Sequence, residues 1–266
     1  MGNRYQKELD FAKKVVIDAY VFCNTNAELV VSDKGSRDLV TDLDYAIENY
    51  IVEQIRHAFP GDSILAEEKH ADSTHLNQRY WVIDPIDGTV NLSRRLPFYG
   101  IQIALIEDKQ PVVAAIYLPE FKELYFASIG NGSYLNDQKL SVSNISDPKR
   151  AITSMGDFSK REGQEIENAR RVRALGGLVD NVLKIKMFGA ACLDLTYLAR
   201  GLTDIHIMFS FGLWDVLPGL LIASEAGAVY QSARGEEFNT ESVDIVLAAS
   251  DQLLRFVIDR FNQMKI

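Results

Sequence analysis

Cysteine is scarce in this sequence, and long apolar runs are missing. Cys23 and Cys192 are the two cysteines among 266 residues, and each lies in an apolar pattern with helical spacing. They predict buried free thiols in a reducing compartment. No segment approaches the ~18 consecutive apolar residues of a membrane-spanning helix, and the polar N-terminal residues do not predict a secretory signal. We therefore expect a cytoplasmic protein that makes no membrane contact.

Basic charge is also in deficit. The chain has 28 lysines and arginines against 37 acidic residues, for a formal net charge of −9. Proteins that bind polyanions are usually basic, so nucleic acid is not the expected partner. The local clusters Lys160-Arg161 and Arg170-Arg171-x-Arg173 are interpreted as the solvated face of a helix. An acidic protein with an anionic substrate needs local positive charge, which bound cations would supply.

Several catalytic motifs are absent from the chain. There is no Gly-x-Ser-x-Gly, His-Glu-x-x-His, Cys-x-x-Cys or Gly-x-x-x-x-Gly-Lys sequence, which leaves the corresponding hydrolase, zinc, redox and nucleotide-binding chemistries without support. The four histidines share no ligand spacing and are interpreted as surface or hydrogen-bonded structural residues: His57, His70, His75 and His206.

Hydrophobic periodicity predicts a layered α/β fold. Leu9 to Cys23 follow helical spacing, and a second helix is predicted between an N-cap at Thr41 and Pro60-Gly61. Strand patterns dominate residues 80–143. Later residues alternate between helices near 163–175, 190–200, 215–226 and 250–264 and strands near 183–187, 204–209 and 244–249. We expect one domain over 1–266, with 1–147 and 148–266 as candidate subdomains.

The most informative segment is WVIDPIDGTVN, residues 81–91. A strand is predicted to end at Asp84, because Pro85 cannot extend a β-ladder. Asp84 and Asp87 would then lie at the mouth of a sheet, where α/β proteins bind ligands. Two neighbouring carboxylates repel unless a cation joins them, and hard oxygen ligands select Mg²⁺, Mn²⁺ or Ca²⁺ over zinc. The alternative is a solvated Asp-Pro and Asp-Gly turn, which is common.

Other acidic residues fit the same site. Glu67 and Glu68 follow the strand-like residues 63–66, and Asp215 opens a predicted helix. Taken singly, the glutamates would be an exposed pair and Asp215 a helix cap. Gly88 would let a ligand approach the backbone closely.

These residues together resemble a known family. Residues 81–91 look like the first signature of the inositol monophosphatase family, and Trp214-Asp215 with residues 225–228 look like its second. Ala66-Glu67-Glu68 resembles the family's glutamate pair, and residues 38–44 resemble its segment with a catalytic aspartate. The resemblance implies the αβαβα architecture of inositol monophosphatases and fructose-1,6-bisphosphatases, and Mg²⁺-dependent hydrolysis of a small phosphomonoester.

The resemblance also implies a metal site. Two or three Mg²⁺ ions would be held, with Mn²⁺ as a substitute and Ca²⁺ or Li⁺ as inhibitors. The ligands would be four side chains and one backbone carbonyl: Glu67, Asp84, Asp87, Asp215 and the carbonyl of Ile86.

Roles in catalysis follow from the same resemblance. Asp44 and Thr89 would orient and deprotonate a metal-bound water that attacks phosphorus in line, with Glu67 in the catalytic set. The backbone N–H groups of Gly88 and Thr89 would bind the phosphate. Asp87 and Ala191 would also contact the substrate.

The substrate itself is left open by the resemblance. Met208 stands where inositol-type enzymes commonly carry a glutamate that binds a ring hydroxyl. Inositol monophosphate or a similar polyol or sugar phosphate is the first expectation. The alternatives are a fructose-1,6-bisphosphatase, a 3′-phosphonucleotide phosphatase, or a family member with a regulatory RNA-binding or protein-binding role. A homodimer is implied as well.

Overall fold

The computed structural model describes residues 3–24, 31–35, 38–69, 78–159 and 163–266. The pair Lys160-Arg161 and two of the histidines, His70 and His75, lie outside these ranges. Inside them the chain alternates between helices and short strands, and this confirms the α/β fold that the hydrophobic patterns predict.

The helices of the described residues follow the predicted apolar stripes. Thr41 caps the second helix: its hydroxyl accepts the backbone N–H of Asp44, and the Asp44 carboxylate accepts the N–H of Thr41. This capping box confirms the start predicted from the sequence. The helices are α1 (Gln6–Asn24), α2 (Asp42–Ala58), α3 (Thr89–Ser93), α4 (Glu165–Leu178), α5 (Ala191–Ala199), α6 (Leu213–Glu225) and α7 (Asp251–Met264).

The strands of the described residues are mostly short. They are β1 (Val31–Gly35), β2 (Asp38–Thr41), β3 (Ser63–Ala66), β4 (Arg79–Asp87), β5 (Gly100–Glu107), β6 (Gln110–Leu118), β7 (Glu123–Ser128), β8 (Ser133–Leu135), β9 (Gln138–Lys139), β10 (Ile152–Met155), β11 (Lys184–Lys186), β12 (Ile205–Phe209), β13 (Val229–Gln231) and β14 (Asp244–Ala248).

Two sheets carry most of these strands. The first sheet has seven strands in the order β3-β4-β5-β6-β7-β8-β9, and it is antiparallel except where β3 pairs with β4. The second sheet has five strands in the order β11-β10-β12-β14-β13, with β10 parallel to both of its neighbours. The strands β1 and β2 form a separate hairpin.

Helices cover both sheets and give five layers. The helices α1 and α2 pack on one face of the first sheet, and α5 and α6 fill the space between the two sheets. The helices α4 and α7 cover the outer face of the second sheet. This αβαβα order arises because central strands such as β5, β6 and β14 are buried and apolar on both faces and therefore need a helix on each side.

One interpretation of polar residues from the sequence is wrong. Arg171 is not on a solvated helix face: it is 2% exposed, because α4 packs this side chain against the end of β12. His206 follows the second of its two predicted alternatives, a structural residue: it is fully buried, and its Nε2 atom has no hydrogen-bond partner among the described residues. Its Nδ1 atom is 2.9 Å from the Ser154 hydroxyl on the neighbouring strand.

Candidate active site

The end of β4 is irregular, and this irregularity shapes the site. The sequence predicted that the strand would stop at Asp84, but β4 continues through Pro85 to Asp87. The pairing with β5 shifts register between Asp84 and Asp87. Residues three apart in a regular strand point to opposite faces, whereas a bulge changes the direction of a side chain. Pro85 is tolerated because it falls in this irregular stretch.

Asp84 is the more deeply buried of the two acids at the end of β4. It is 1% exposed, and Gln102 on β5 donates a hydrogen bond of 3.0 Å to its Oδ2 atom. Its Oδ1 atom has no hydrogen-bond partner among the described residues. Burial raises the pKa of Asp84 well above its ordinary value, and the charges of Glu67, Asp87 and Asp215 raise it further. The carboxylates of Asp84, Asp87, Glu67 and Asp215 are therefore close together, although they come from three separate segments of the chain.

Asp87 joins β4 to the start of α5. The backbone N–H of Cys192 donates a hydrogen bond to its Oδ2 atom. Burial raises the pKa of Asp87, while the bonds from Cys192 and the backbone of Ala191 oppose the rise. Asp87 thus takes part of its support from the N-terminus of α5, where anions are stabilised. Ala191 lies beside Asp87 and lines the same cavity; its contact with a substrate stays a prediction.

Asp44 is completely buried at the N-terminus of α2. The Thr89 hydroxyl lies 3.2 Å from Asp44 Oδ1 and 3.0 Å from the Ile86 carbonyl oxygen, so it can donate to either acceptor. Burial raises the pKa of Asp44, and the hydrogen bonds from Thr41 and Thr89 work in the opposite direction. Asp44, Thr89 and Ile86 therefore form one connected group, although Asp44 is far from the other two in the sequence.

Glu67 follows β3, which is parallel to β4. Its backbone N–H bonds to the Ile83 carbonyl at 3.2 Å, and its side chain lines the same cavity as Asp87. Glu48 on α2 holds the turn after it, because its carboxylate accepts the backbone N–H groups of Glu68 and Lys69 at 2.8 Å each. Glu48 was not identified from the sequence, because its position in α2 has the same spacing as the other residues of the buried helix face.

Asp215 lies in the first turn of α6. Its Oδ2 atom accepts the backbone N–H of Gly212 at 2.7 Å. A Cβ atom at Gly212 would lie 2.5 Å from the Trp214 ring, so a larger residue here would displace that ring. The helix start brings Asp215 into the cavity with Glu67 and Asp87.

Gly88 needs the absence of a side chain for two reasons. Its φ angle is +93°, a region that L-residues avoid. A Cβ atom there would also lie 2.7 Å from the Phe98 carbonyl oxygen. Asn91 supports this turn, since its Nδ2 atom donates to the Phe98 carbonyl at 2.7 Å and to the Phe188 carbonyl at 2.9 Å. The backbone beside Asp87 is thereby held open to a ligand.

An open cavity of about 640 Å³ lies in front of these residues. Its walls come from both sheets and from α4, α5 and α6. Members of the predicted set line it on one side, and side chains from the second sheet and its neighbours line it on the other. The charged and large apolar residues that line it include Glu67, Asp87, Asp157, Arg171, Asp194, Met208, Phe211, Trp214 and Asp215.

The carboxylates fit a hard divalent cation by chemistry and charge. The unpartnered oxygen of Asp84 and the mutual repulsion of Asp84, Glu67 and Asp87 are the two supporting observations. No three acidic, histidine or cysteine side chains of the described residues are already arranged as a closed metal-binding group. A cation would therefore have to draw the carboxylates inward.

Three lining residues were not identified as site residues from the sequence. Asp157 follows β10, and Asp194 lies in the first turn of α5, where it is 1% exposed. Arg171 was assigned to a solvated face. Each belongs to an ordinary helical or loop pattern, and only the packing of the second sheet against α5 brings them to the cavity.

A family model described as the inositol monophosphatase family matches residues 5–265. By class the chain is a phosphoric monoester hydrolase, and it belongs to the inositol monophosphatase family. Dependence on Mg²⁺ is a general property of this family.

Several curated relatives are similar over most of the chain. A Xylella fastidiosa Nus factor SuhB is 35% identical over 209 residues, which cover 79% of this chain and 74% of the relative. A Dictyostelium discoideum inositol monophosphatase is 34% identical over 215 residues, with 79% and 77% covered. A Thermotoga maritima fructose-1,6-bisphosphatase/inositol-1-monophosphatase is 29% identical over 214 residues, with 80% and 79% covered.

The fold matches solved structures of the family. The extragenic suppressor protein SuhB from Bartonella henselae superposes with a TM-score of 0.87 at 25% identity, covering 97% of this chain and 99% of that one. The layered architecture predicted from the resemblance is therefore confirmed.

Proposed function

We propose that this chain hydrolyses a small phosphomonoester, namely an inositol monophosphate or a similar polyol or sugar phosphate. The observation that carries this proposal is that Glu67, Asp87 and Asp215 line one open cavity, while burial and the charges of these three residues raise the pKa of the neighbouring Asp84. The hydrogen bond between Asp44 and Thr89, which is two residues after Asp87, supports the same chemistry.

The carboxylates of Glu67, Asp84, Asp87 and Asp215 and the carbonyl of Ile86 are the groups we assign to two or three Mg²⁺ ions. When bound, Mg²⁺ neutralises phosphate charge, stabilises the leaving oxygen and lowers the pKa of a water ligand. Mn²⁺ is expected to substitute, and Ca²⁺ or Li⁺ to inhibit. The protein contributes rigid placement of these oxygens through Gln102, Glu48 and the N-terminus of α5.

Asp44 and Thr89 are assigned to the proton. The Thr89 hydroxyl hydrogen-bonds to Asp44 Oδ1, so its oxygen is left able to accept a hydrogen bond from a water in the cavity. Asp44 then receives the proton that the water loses on attack at phosphorus. No covalent phosphoenzyme is required, because positioning and electrostatics supply most of the rate enhancement in phosphoryl transfer. The backbone around Gly88 and Thr89 binds the phosphate oxygens.

Membership of the family does not determine which phosphomonoester the chain hydrolyses. Met208 cannot accept a hydrogen bond from a ring hydroxyl as a glutamate would, so myo-inositol phosphate is not favoured above other polyol or sugar phosphates. Fructose 1,6-bisphosphate is a second candidate, favoured by the similarity to the Thermotoga maritima relative. A 3′-phosphorylated nucleotide is less consistent with residues 89–91, which resemble the inositol branch.

A regulatory binding role is a separate hypothesis. Similarity to Nus factor SuhB proteins motivates it, whereas the net charge of −9 weighs against an RNA partner. The chain has every acidic residue that the resemblance assigns to hydrolysis, so a binding role would be added to catalysis and would not replace it.

Replacement of one central acid tests the hydrolysis. Asp87→Asn should lower Mg²⁺-dependent phosphate release at least ~1,000-fold, since it removes a charged ligand and leaves the cavity short of negative charge. Release would be measured on a panel of inositol 1-phosphate, fructose 1,6-bisphosphate, glycerol 3-phosphate and adenosine 3′,5′-bisphosphate. Asp108→Asn is the matched control, because Asp108 is exposed in the turn between β5 and β6. Undiminished turnover by Asp87→Asn would contradict the metal assignment.

A further inference from the structure

The three arginines of the cluster on α4 have different surroundings. Arg173 is exposed to solvent. Arg170 pairs with Asp244 at 2.6 Å and lies 3.8 Å from Glu167. Arg171 is 2% exposed, and among the described residues no carboxylate lies within 4.0 Å of its guanidinium. It donates to the Phe209 carbonyl and, over 3.5 Å, to Asn168 Oδ1. Its acceptors are therefore neutral oxygens only.

A buried cation without a counter-ion is costly. Transfer of a charged side chain from water into a protein interior costs several kcal/mol unless an opposite charge compensates it. Burial accordingly lowers the pKa of Arg171 and the charge of Glu167 opposes this, although an arginine keeps its proton at any physiological pH. The two hydrogen-bond acceptors are neutral, and Glu167 is shared with Arg170, which lies 3.8 Å from it. The surroundings of Arg171 therefore favour a further anion.

Arg171 lines the same cavity as the acids of the proposed metal site. Of the described residues that line it, Arg171 is the one with a cationic side chain, whereas Glu67, Asp87, Asp157, Asp194 and Asp215 are acidic. The reacting phosphate is assigned to the acidic end of the cavity, which means the metal ions that Glu67, Asp87 and Asp215 would hold. An anion at Arg171 therefore has to be a different group.

The cavity has room for such a group. A volume of about 640 Å³ is typical of sites for whole small molecules and exceeds what one phosphate occupies. Met208, Phe211 and Trp214 contribute apolar surface to its wall. A sugar-sized carbon skeleton can lie on that surface with an anionic group at each end.

We propose that Arg171 is a specificity-determining residue that binds a second anionic group, a phosphate or a carboxylate, on the phosphomonoester substrate. The proposal rests on the proposed function, because it takes the acidic end of the cavity as the place of the reacting phosphate. A guanidinium suits this role, since it presents several donors in a plane and matches phosphate and carboxylate oxygens.

Matched substrate pairs test the assignment. Fructose 1,6-bisphosphate would be compared with fructose 1-phosphate, and 3-phosphoglycerate with glycerol 3-phosphate, so that the two pairs separate a second phosphate from a carboxylate. Arg171→Gln keeps a donor for the Phe209 carbonyl but removes the charge. It should lower kcat/KM about 10- to 100-fold for at least one substrate with two anionic groups (the doubly anionic substrate), mainly by raising KM. For the matched ester, whose only anionic group is the reacting phosphate, kcat/KM should change less than about threefold.

Two further variants separate binding from a structural role. Arg173→Gln, on the exposed face of the same helix, should leave all four values unchanged. Arg171→Lys should recover part of the lost kcat/KM for the doubly anionic substrate, because it restores the charge without the planar donors. Parallel losses on both members of each pair, or no loss on either, would overturn the proposal.

Binding without turnover keeps the test independent of hydrolysis. In an Asp44→Asn background with Mg²⁺, calorimetry should give a Kd for fructose 1,6-bisphosphate that Arg171→Gln raises at least about tenfold. The Kd of fructose 1-phosphate should not change. An equal Kd for the bisphosphate in both proteins would refute the role of Arg171. Failure of the wild-type chain to release phosphate from any substrate would refute the proposed function instead.

Discussion

At the scale of single residues, Met208 separates the question of substrate from the question of chemistry. It lies on β12 and lines the cavity, and a Cβ atom at Gly156 would come within 3.1 Å of its Cγ atom. None of the acidic groups that we assign to metal ions depends on this thioether. Its replacement should therefore change which molecules are hydrolysed and leave hydrolysis itself intact.

Met208→Glu should raise kcat/KM for inositol 1-phosphate about tenfold, because the new carboxylate can accept a hydrogen bond from a ring hydroxyl. The same variant should lower kcat/KM for fructose 1,6-bisphosphate, since a second negative charge then faces the substrate. Initial rates at several substrate concentrations measure both values. Met208→Leu conserves volume and is the control. If both variants give the same ratio between the two substrates, the carboxylate is not what distinguishes them.

The sequence identified most acids of the site but misjudged its cation. Asp84, Asp87 and Asp215 are next to prolines, glycines or helix starts, and such local signals are visible without a structure. Arg171 has no local signal. Its neighbour Arg173 is exposed, and the burial of Arg171 comes from the packing of α4 against Phe209, a contact far away in the sequence.

At the scale of elements, long periodic segments and most strands of the second sheet were predictable, and two of its short strands were not. The helices α1 and α2 agree with their predicted ranges, and the strands β5 and β6 lie in the predicted strand region 80–143, because each carries several buried side chains at regular spacing. The strands β10 and β13 have four and three residues and were not predicted. They exist because β12 and β14 pair with them, which is tertiary information.

The adjacent strands β10 and β12 of the second sheet also carry buried polar side chains. His206 on β12 faces Ser154 on β10, and Asp194 on α5 lies 3.9 Å from its Nδ1 atom. Burial lowers the pKa of His206 to about 3, and burial raises the pKa of Asp194 well above its ordinary value. The histidine is therefore neutral in the folded protein.

His206 predicts a loss of stability in mild acid, whereas the raised pKa of Asp194 acts in the opposite direction. Between pH 6.5 and about 3, His206 binds a proton only in the unfolded chain, so the free energy of unfolding falls as the pH decreases, by up to ~1.4 kcal/mol per pH unit. His206→Asn removes this dependence and keeps a donor and acceptor near Ser154. Urea unfolding at pH 6.5, 5.5 and 4.5 should give a shallower decrease for the variant. Parallel curves for the two proteins would show that His206 does not titrate as assigned.

At the scale of the whole molecule, apolar side chains are exposed on one stretch. Val172, Val179, Leu183 and Met187 are between 40% and 60% exposed, and Ile166 is 79% exposed. They all come from α4 and the residues up to and just after β11. Exposed apolar side chains that form a contiguous patch are typical of protein interfaces. None of the described helices is both long and apolar enough to cross a membrane.

This surface supports the predicted homodimer. Light scattering should give twice the 29.9 kDa chain mass for the wild type. Val179→Glu should shift the mass toward that of the monomer, because it places a charge in an apolar contact. Val21→Glu is the control, since Val21 is comparably exposed, at 56%, on the distant helix α1. A monomeric wild-type mass would contradict the dimer, and a dimeric Val179→Glu would place the interface elsewhere.

The division of the cavity between two sheets has an evolutionary consequence. The oxygens assigned to the metal ions come mainly from the end of the first sheet, while Met208 and Phe211 come from β12 and the loop after it. Substitutions in the second sheet can therefore accumulate without disturbing the reaction centre. A lineage with this architecture can exchange one metabolite for another while its hydrolytic apparatus is inherited unchanged. Laboratory selection for new substrates should begin with libraries at positions 208–211.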